Sequence, residues 1–188
     1  MLRQLRPAVV LTALFTLLLG LAYPLAITGA ARALMPAAAG GSLIRKDGIV
    51  IGSALIGQAF ASDRYFWPRP SATGTPYDAS SSSGSNLGPT SAKLRERVAG
   101  EVERLTAAGI ATPIPEDAAT TSGSGLDPDI SPAFAAAQVA RVAKARGLPE
   151  ADVAGLVSRH AAGRLFGFIG EPRVNVLKLN IALDALKT

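Results

Sequence analysis

A seven-residue pattern, Ser-Gly-Ser-x-Leu-x-Pro, occurs twice in this chain, at Ser83–Pro89 and at Ser122–Pro128. Each copy runs toward a helix-like stretch. Glycine reaches positive φ at little cost, and serine or aspartate can satisfy the orphan N–H groups of a first helical turn. Such a corner has two chemical uses. It can present backbone donors to an anion, as phosphate loops do, or it can cap its helix and fold onto a neighbour. Neither copy carries a lysine beside its glycines, and the chain has no G-x-x-x-x-G-K-[ST] motif. Capping and contact formation are therefore favoured. Ser122, Ser124, Asp127 and His160 contain the residue types of a hydrolytic triad, but no G-x-S-x-G elbow accompanies them. Asp127 and Asp129 alone fall short of a metal site. His160, the single histidine, extends an apolar helical stripe and reads as a packed or hydrogen-bonded residue. No catalytic residue and no metal ligand is assigned, and the chain is not expected to be an enzyme in its own right.

The elements that position these corners begin with an apolar stretch. No charged residue lies between Arg6 and Arg32, a gap of 25 positions, and about 20 apolar residues suffice to cross a bilayer as a helix. A cleaved signal peptide is the rival, with "MLRQLR" as its basic start and "ITGAARA" as its small-residue site. Its apolar core would be shorter than this one, so an uncut anchor is favoured. Arg3 and Arg6 precede the span with no acid near them, which places the N-terminus in the cytoplasm by the positive-inside rule. The expected layout is a cytoplasmic 1–6, a transmembrane helix over 7–33 and an extracytoplasmic domain over 34–188. Pro24 should kink the span. Ala22, Ala26 and Ala30, spaced by four, offer a face narrow enough for another helix to approach.

The net charge of +5 is concentrated at the start. Setting aside Arg3, Arg6 and Arg32 leaves 16 basic against 14 acidic residues, so the outer domain is near neutral and has no footprint for nucleic acid. There is no cysteine, hence no disulfide and no thiolate metal site.

Beyond the span, Asp47-Gly48 between short apolar runs predicts a hairpin. Residues 65–91 are rich in Pro, Gly and Ser, yet hold Tyr65, Phe66, Trp67 and Tyr77, four of the ten aromatics. Disordered segments are poor in aromatics, so this segment reads as an ordered irregular loop. Leu94, Val98, Val102 and Leu105 predict a helix over 91–108, stopped by Gly109. A second helix is predicted over 132–146, with Ser131 as N-cap, Pro132 at its first position and Gly147 as its stop. Arg141, Lys144 and Arg146 load its C-terminal end, where the helix dipole favours cations. A third is predicted over 150–162. "RLFGFIG" reads as a short strand, and a closing helix contains Val176, Leu179, Leu183 and Leu186.

Six blocks together resemble one family. They are "GSALIGQAF" from Gly52, "YFWPRPSATG" from Tyr65, "GSNLGPTS" from Gly84, "SGSGLDPDISPA" from Ser122, "QVARVAKARG" from Gln138 and "GEPRVNVLKLNIALD" from Gly170. In this order they are similar to KdpC, the C subunit of the Kdp potassium-transporting P-type ATPase. The resemblance covers nearly the whole chain. Members often carry histidine where this chain has Asp129. The resemblance implies an accessory subunit of a bacterial inner-membrane complex. Its implied partners are a channel-like potassium-selecting subunit, an ATP-hydrolysing P-type subunit and a small single-span subunit. ATP and potassium ion then belong to the complex, and no cofactor is assigned to this chain itself. A catalytic-chaperone role proposed for the family implies nucleotide contact at Ser122, Gly123, Ser124 and Gly125. That corner is expected outside the cell, away from ATP, so any effect on ATP affinity would have to travel through the membrane helix. The expected fold is an α+β extracytoplasmic domain on a single N-terminal transmembrane helix. Its expected subunit contacts are Ala22, Ala26 and Ala30, together with Tyr65, Phe66, Trp67 and Arg69 of the aromatic loop.

Overall fold

The structure is a computed structural model and describes residues 2–186. The chain divides into two compact units, one through Ile51 and one from Gly52.

The first unit opens on an unbroken helical rod. A short 3-10 turn, Leu2–Gln4, leads into α1 (Leu5–Leu17), a π turn (Leu18–Ala22) and α2 (Tyr23–Leu34). Leu5–Leu34 make a rod of 30 residues whose most apolar 18-residue stretch has a mean hydropathy of 2.2, with none of that stretch buried. At 1.5 Å per residue the rod is about 45 Å long, enough to cross a hydrocarbon core of about 30 Å. Pro24 lacks an N–H and crowds the carbonyl four residues back, at Gly20. A widened π turn, Leu18–Ala22, stands just before it and makes room for the ring without ending the helix. A one-turn helix, α3 (Pro36–Ala39), follows. Then come β1 (Leu43–Lys46) and β2 (Ile49–Ser53), paired as a hairpin. Asp47 and Gly48 have φ of 51° and 80°, the pair of positive values that a type I′ turn requires.

The second unit is the α+β domain. Its helices are α4 (Ala92–Ala107), α5 (Glu116–Ala119), α6 (Pro132–Ala137), α7 (Val139–Arg146), α8 (Glu150–His160) and α9 (Val176–Asp184). They surround a small antiparallel sheet of β3 (Asp129–Ile130), β4 (Ala161–Ala162) and β5 (Arg173–Asn175). The strand order is β3-β5-β4, with Ile130 and Ala161 both paired to Val174. Phe66, Leu105, Phe134, Val142, Val153, Val174, Leu179 and Leu183 are fully buried and form one core.

Caps fix the helix entries. Ser91 accepts from Leu94 N–H at 3.4 Å, Ser131 from Phe134 N–H at 3.0 Å and Asn175 from Lys178 N–H at 3.1 Å. The Ser131 cap is itself held, because its N–H and hydroxyl both donate to the Asp117 carboxylate at 2.7 and 2.8 Å.

Three sequence expectations change. The helix predicted over 132–146 is two helices with Gln138 between them, because that side chain is drawn to the aromatic loop. The helix predicted to end at Ala162 ends at His160, and Ala161–Ala162 joins the sheet instead. "RLFGFIG" is not a strand. It is a tight, exposed hairpin closed by a single bridge between Leu165 and Ile169, with Phe166 and Gly167 at φ of 53° and 83°.

Candidate functional site

The aromatic loop is irregular but bound on every side. Gln138 accepts from Trp67 N–H at 2.7 Å and donates to Trp67 C=O at 3.1 Å. Asn180 does the same to Phe66, at 2.9 and 3.0 Å. Two buried carboxamides thus stand in for two strand neighbours. Each sets an N–H donor beside a C=O acceptor at the spacing of a peptide group, so each can satisfy both backbone groups of one loop residue. Phe66 and Trp67 then turn their rings into the core.

Two arginines of α7 clamp the same loop. The Arg141 guanidinium lies 3.7 Å from the Trp67 ring centroid and donates to Asp63 C=O, Tyr65 C=O and Gln138 Oε1. Burial lowers its pKa to about 10, an effect that the nearby Asp63 opposes and Arg104 reinforces. It therefore remains a cation at neutral pH. Arg104 faces the same ring at 5.0 Å. Arg146 lies over the Tyr65 ring at 4.8 Å, donates to Arg64 C=O at 2.6 Å and pairs with Asp184 at 2.7 Å. Tyr65 hydroxyl donates to Asp184 as well. The cations expected to complement the α7 dipole are thus, for Arg141 and Arg146, loop anchors.

Phe66 and Trp67 belong to the domain's own core, at 0% and 8% exposed. Arg69 pairs with Asp127 at 2.9 Å and its carbonyl accepts from Tyr77 hydroxyl. Burial pushes that tyrosine hydroxyl well above its ordinary pKa, so it stays protonated and able to donate.

The two glycine-serine corners meet each other. Ser83 N–H and Ser82 hydroxyl both donate to Ser124 C=O, at 3.0 and 2.9 Å. Gly57 N–H donates to Leu126 C=O at 2.8 Å, and Ser71 hydroxyl to Gly125 C=O at 2.7 Å. Within the second corner, Gly125 N–H is taken by Ser122 hydroxyl at 3.0 Å and Leu126 N–H by Ser124 hydroxyl at 3.1 Å. A Cβ on Gly84 would sit 2.9 Å from Gly123 O, and one on Gly125, at φ +68°, 2.7 Å from Ser83 O. The repeated pattern is therefore two halves of one close backbone contact.

Beside the corners lies a cleft of about 330 Å³ lined by charged groups. Arg69 pairs there with Asp127, and Arg173 with Asp129 at 3.1 Å. Burial pushes the Asp129 carboxyl up, and Asp127 adds to this. The hydrogen bond from Asn175 and the charges of Arg173 and Lys178 work against it. His160 lies apart from the corners and has its Nδ1 3.0 Å from Leu156 O, so Ser122, Ser124, Asp127 and His160 do not form a catalytic relay. Gln138, Asn180 and Asp117 were absent from the expected site. Gln138 and Asn180 do leave a trace, since each is an amide inside an apolar stripe. One lies between Ala135 and Val142, the other between Val176 and Leu183.

An apolar rod long enough for a bilayer, joined to a domain whose polar groups are engaged in holding its own loops, defines a class: a membrane-anchored accessory domain. Residues 5–185 match the family model of KdpC, the K+-transporting ATPase c chain, and the chain belongs to that family. Three relatives, each called a potassium-transporting ATPase KdpC subunit, are similar along almost their entire length. The protein of Allorhizobium ampelinum is 60% identical over 98% of this chain and 97% of its own. That of Methylobacterium nodulans is 57% identical over 99% and 98%, and that of Caulobacter vibrioides 60% over 98% and 94%. The chain is accordingly a non-catalytic accessory subunit of the Kdp potassium-transporting complex.

Proposed function

We propose that this subunit is an external brace of a high-affinity, ATP-driven potassium uptake complex in a bacterial inner membrane. Residues 1–6 lie in the cytoplasm, 7–33 span the membrane and 34–188 lie on the outer side. The subunit holds the channel-like potassium-selecting subunit and the ATP-hydrolysing subunit together, beside the small single-span subunit, and supports their assembly and activity. The observation that carries this reading is the continuous apolar rod from Leu5 to Leu34, with no window residue buried by this chain. Such a surface is suited to lipid and to other membrane helices. Ala22, Ala26 and Ala30 are its docking face, since steps of four keep small side chains on one stripe of a helix. Of the aromatic loop, Tyr65 and Arg69 are the proposed contacts, carried on the buried Phe66 and Trp67.

Enlarging the stripe tests the brace. Ala26→Leu with Ala30→Leu should reduce recovery of the subunit with the detergent-purified complex and lower potassium uptake, while Leu25→Ala with Ile27→Ala, off that stripe, should matter less. Undiminished copurification and uptake in the Ala26/Ala30 variant would remove the docking face.

A second reading, the catalytic chaperone with nucleotide at Ser122–Gly125, is carried by the resemblance alone. Its backbone donors Gly125 N–H and Leu126 N–H already have serine acceptors. Side-specific thiol labelling of Ser124→Cys separates the readings: modification only from the cytoplasmic side supports nucleotide contact, and modification only from outside supports the brace.

A further inference from the structure

From Gly52 onward, large exposed apolar side chains are confined to Leu55 and to one hairpin, where Leu165, Phe166, Phe168 and Ile169 are 59%, 80%, 74% and 49% exposed. Exposed apolar side chains gathered on one small projection mark a contact surface. Three features say what kind.

The tip, Leu165 to Gly170, contains no polar side chain, so nothing on it can read a partner by directed hydrogen bonds. Four of its six N–H groups are used within the hairpin: Leu165 donates to Ile169 C=O, Gly167 to Arg164 C=O, and Phe168 and Ile169 both to Leu165 C=O. The Phe166, Gly167 and Phe168 carbonyls accept none of these bonds, which suits a shallow seat where water and headgroups still reach the backbone rather than the hydrocarbon core. At the neck, Arg164 and Glu171 form a bidentate pair at 3.0 and 2.7 Å. Between Ser158 and Val174 the charged residues are Arg159, Arg164, Glu171 and Arg173; Arg173 pairs with Asp129 and Arg164 with Glu171, which leaves Arg159 as the cation available to anionic headgroups.

We propose that this hairpin is a membrane-surface wedge. The four apolar side chains enter the headgroup–acyl boundary of an anionic bilayer, and the Arg164–Glu171 neck stays at headgroup level. The chain is already anchored by its N-terminal helix, so the wedge needs only the marginal affinity of a small interfacial insertion to lie on the lipid. It would steady the domain against the bilayer as a second attachment, whichever side of the membrane the domain occupies.

The test uses the full chain, which lacks cysteine, reconstituted alone into phosphatidylethanolamine–phosphatidylglycerol vesicles. A polarity-sensitive fluorophore is placed at Phe168→Cys or, as a control on an exposed helix position, at Lys93→Cys. We expect a blue shift and quenching by shallow spin-labelled lipids at position 168 and neither at 93. Adding Leu165→Ser and Ile169→Ser should abolish both signals while leaving the urea midpoint of the domain unchanged. Spin label in both leaflets makes the result independent of orientation, so failure here is distinct from failure of the brace. Water-like emission at 168 in vesicles of the chain alone, with a blue shift only in the assembled complex, would assign the tip to a partner protein and overturn the wedge. So would equal quenching at both positions, or water-like emission in both preparations.

Discussion

At the scale of single residues, the domain depends on side chains that copy the backbone. Phe66 and Trp67 have no strand beside them, yet their peptide groups are buried. Gln138 and Asn180 supply the missing donors and acceptors, and leucine at either position would leave one N–H and one C=O unpaired. Each orphaned group costs about 1–3 kcal/mol, so Gln138→Leu and Asn180→Leu should each destabilise the domain by about 2–6 kcal/mol. Urea unfolding in detergent, followed through the single tryptophan, Trp67, measures this. A loss below about 0.5 kcal/mol, the scale of an ordinary surface substitution, would mean that water replaces the amide without cost. Asp129 makes a different prediction. Burial raises its folded pKa, so the folded state binds its proton more tightly than the unfolded chain does. Its contribution to stability is fully present below the ordinary aspartate range and is lost as pH rises through the raised value. Asp129→Asn keeps an acceptor for Asn175 and removes the titration. The variant should match the parent near pH 3 and equal or exceed it near pH 7, in paired urea titrations. A variant less stable than the parent only at neutral pH would show that the pair with Arg173 outweighs burial.

At the scale of elements, what was legible was what is local. Ser91 and Gly109 bracket α4 in the sequence and in the structure, and Asp47-Gly48 makes the expected turn, because caps and turns are decided within a few residues. The split between α6 and α7 was not legible. Periodicity runs through Gln138 undisturbed, and only Trp67, 71 positions away, draws its side chain out. "RLFGFIG" looked like a strand because its composition suits one, but positive φ at Phe166 and Gly167 folds it back on itself. The glycine-serine corners were legible as a repeated device and not as a pair, since each copy alone is complete as a capping loop. Their mutual contact yields a sharp contrast. Gly84→Ala and Gly125→Ala would drive a Cβ into backbone oxygen at 2.9 and 2.7 Å, whereas a Cβ on Gly123 meets nothing within 4 Å. Gly125→Ala adds the left-handed penalty of about 1–2 kcal/mol to its clash. Both should lower the urea midpoint clearly, and Gly123→Ala hardly at all. Equal effects at all three positions would mean that the corners do not touch.

At the scale of the whole molecule, anchor and domain obey different rules. The domain's fold is set by its core and its straps. Its side of the membrane is set, in the proposed reading, by two arginines that take no part in that core. Arg3 and Arg6 precede the span, while Arg32 lies at its far end and Arg45 and Lys46 follow it, so the local excess of cations is not all on one side. The assignment of the N-terminus to the cytoplasm therefore leans on cations that have no acid near them and on the readiness of long downstream domains to translocate whatever their charge. This makes the orientation sensitive in one direction only. A phosphatase reporter that is active only outside the cytoplasm, joined after Thr188, should be active in the parent chain. Arg3→Gln with Arg6→Gln should lower the active fraction, because the signal retaining the N-terminus is gone. Arg32→Gln should leave it unchanged or raise it, since that charge opposes export. An inactive reporter in the parent would move the domain to the cytoplasm and the corner Ser122–Gly125 within reach of ATP, reversing the order of the two functional readings. An active reporter that responds to Arg32 and not to Arg3 and Arg6 would keep the brace but assign its orientation to the partners that receive the helix.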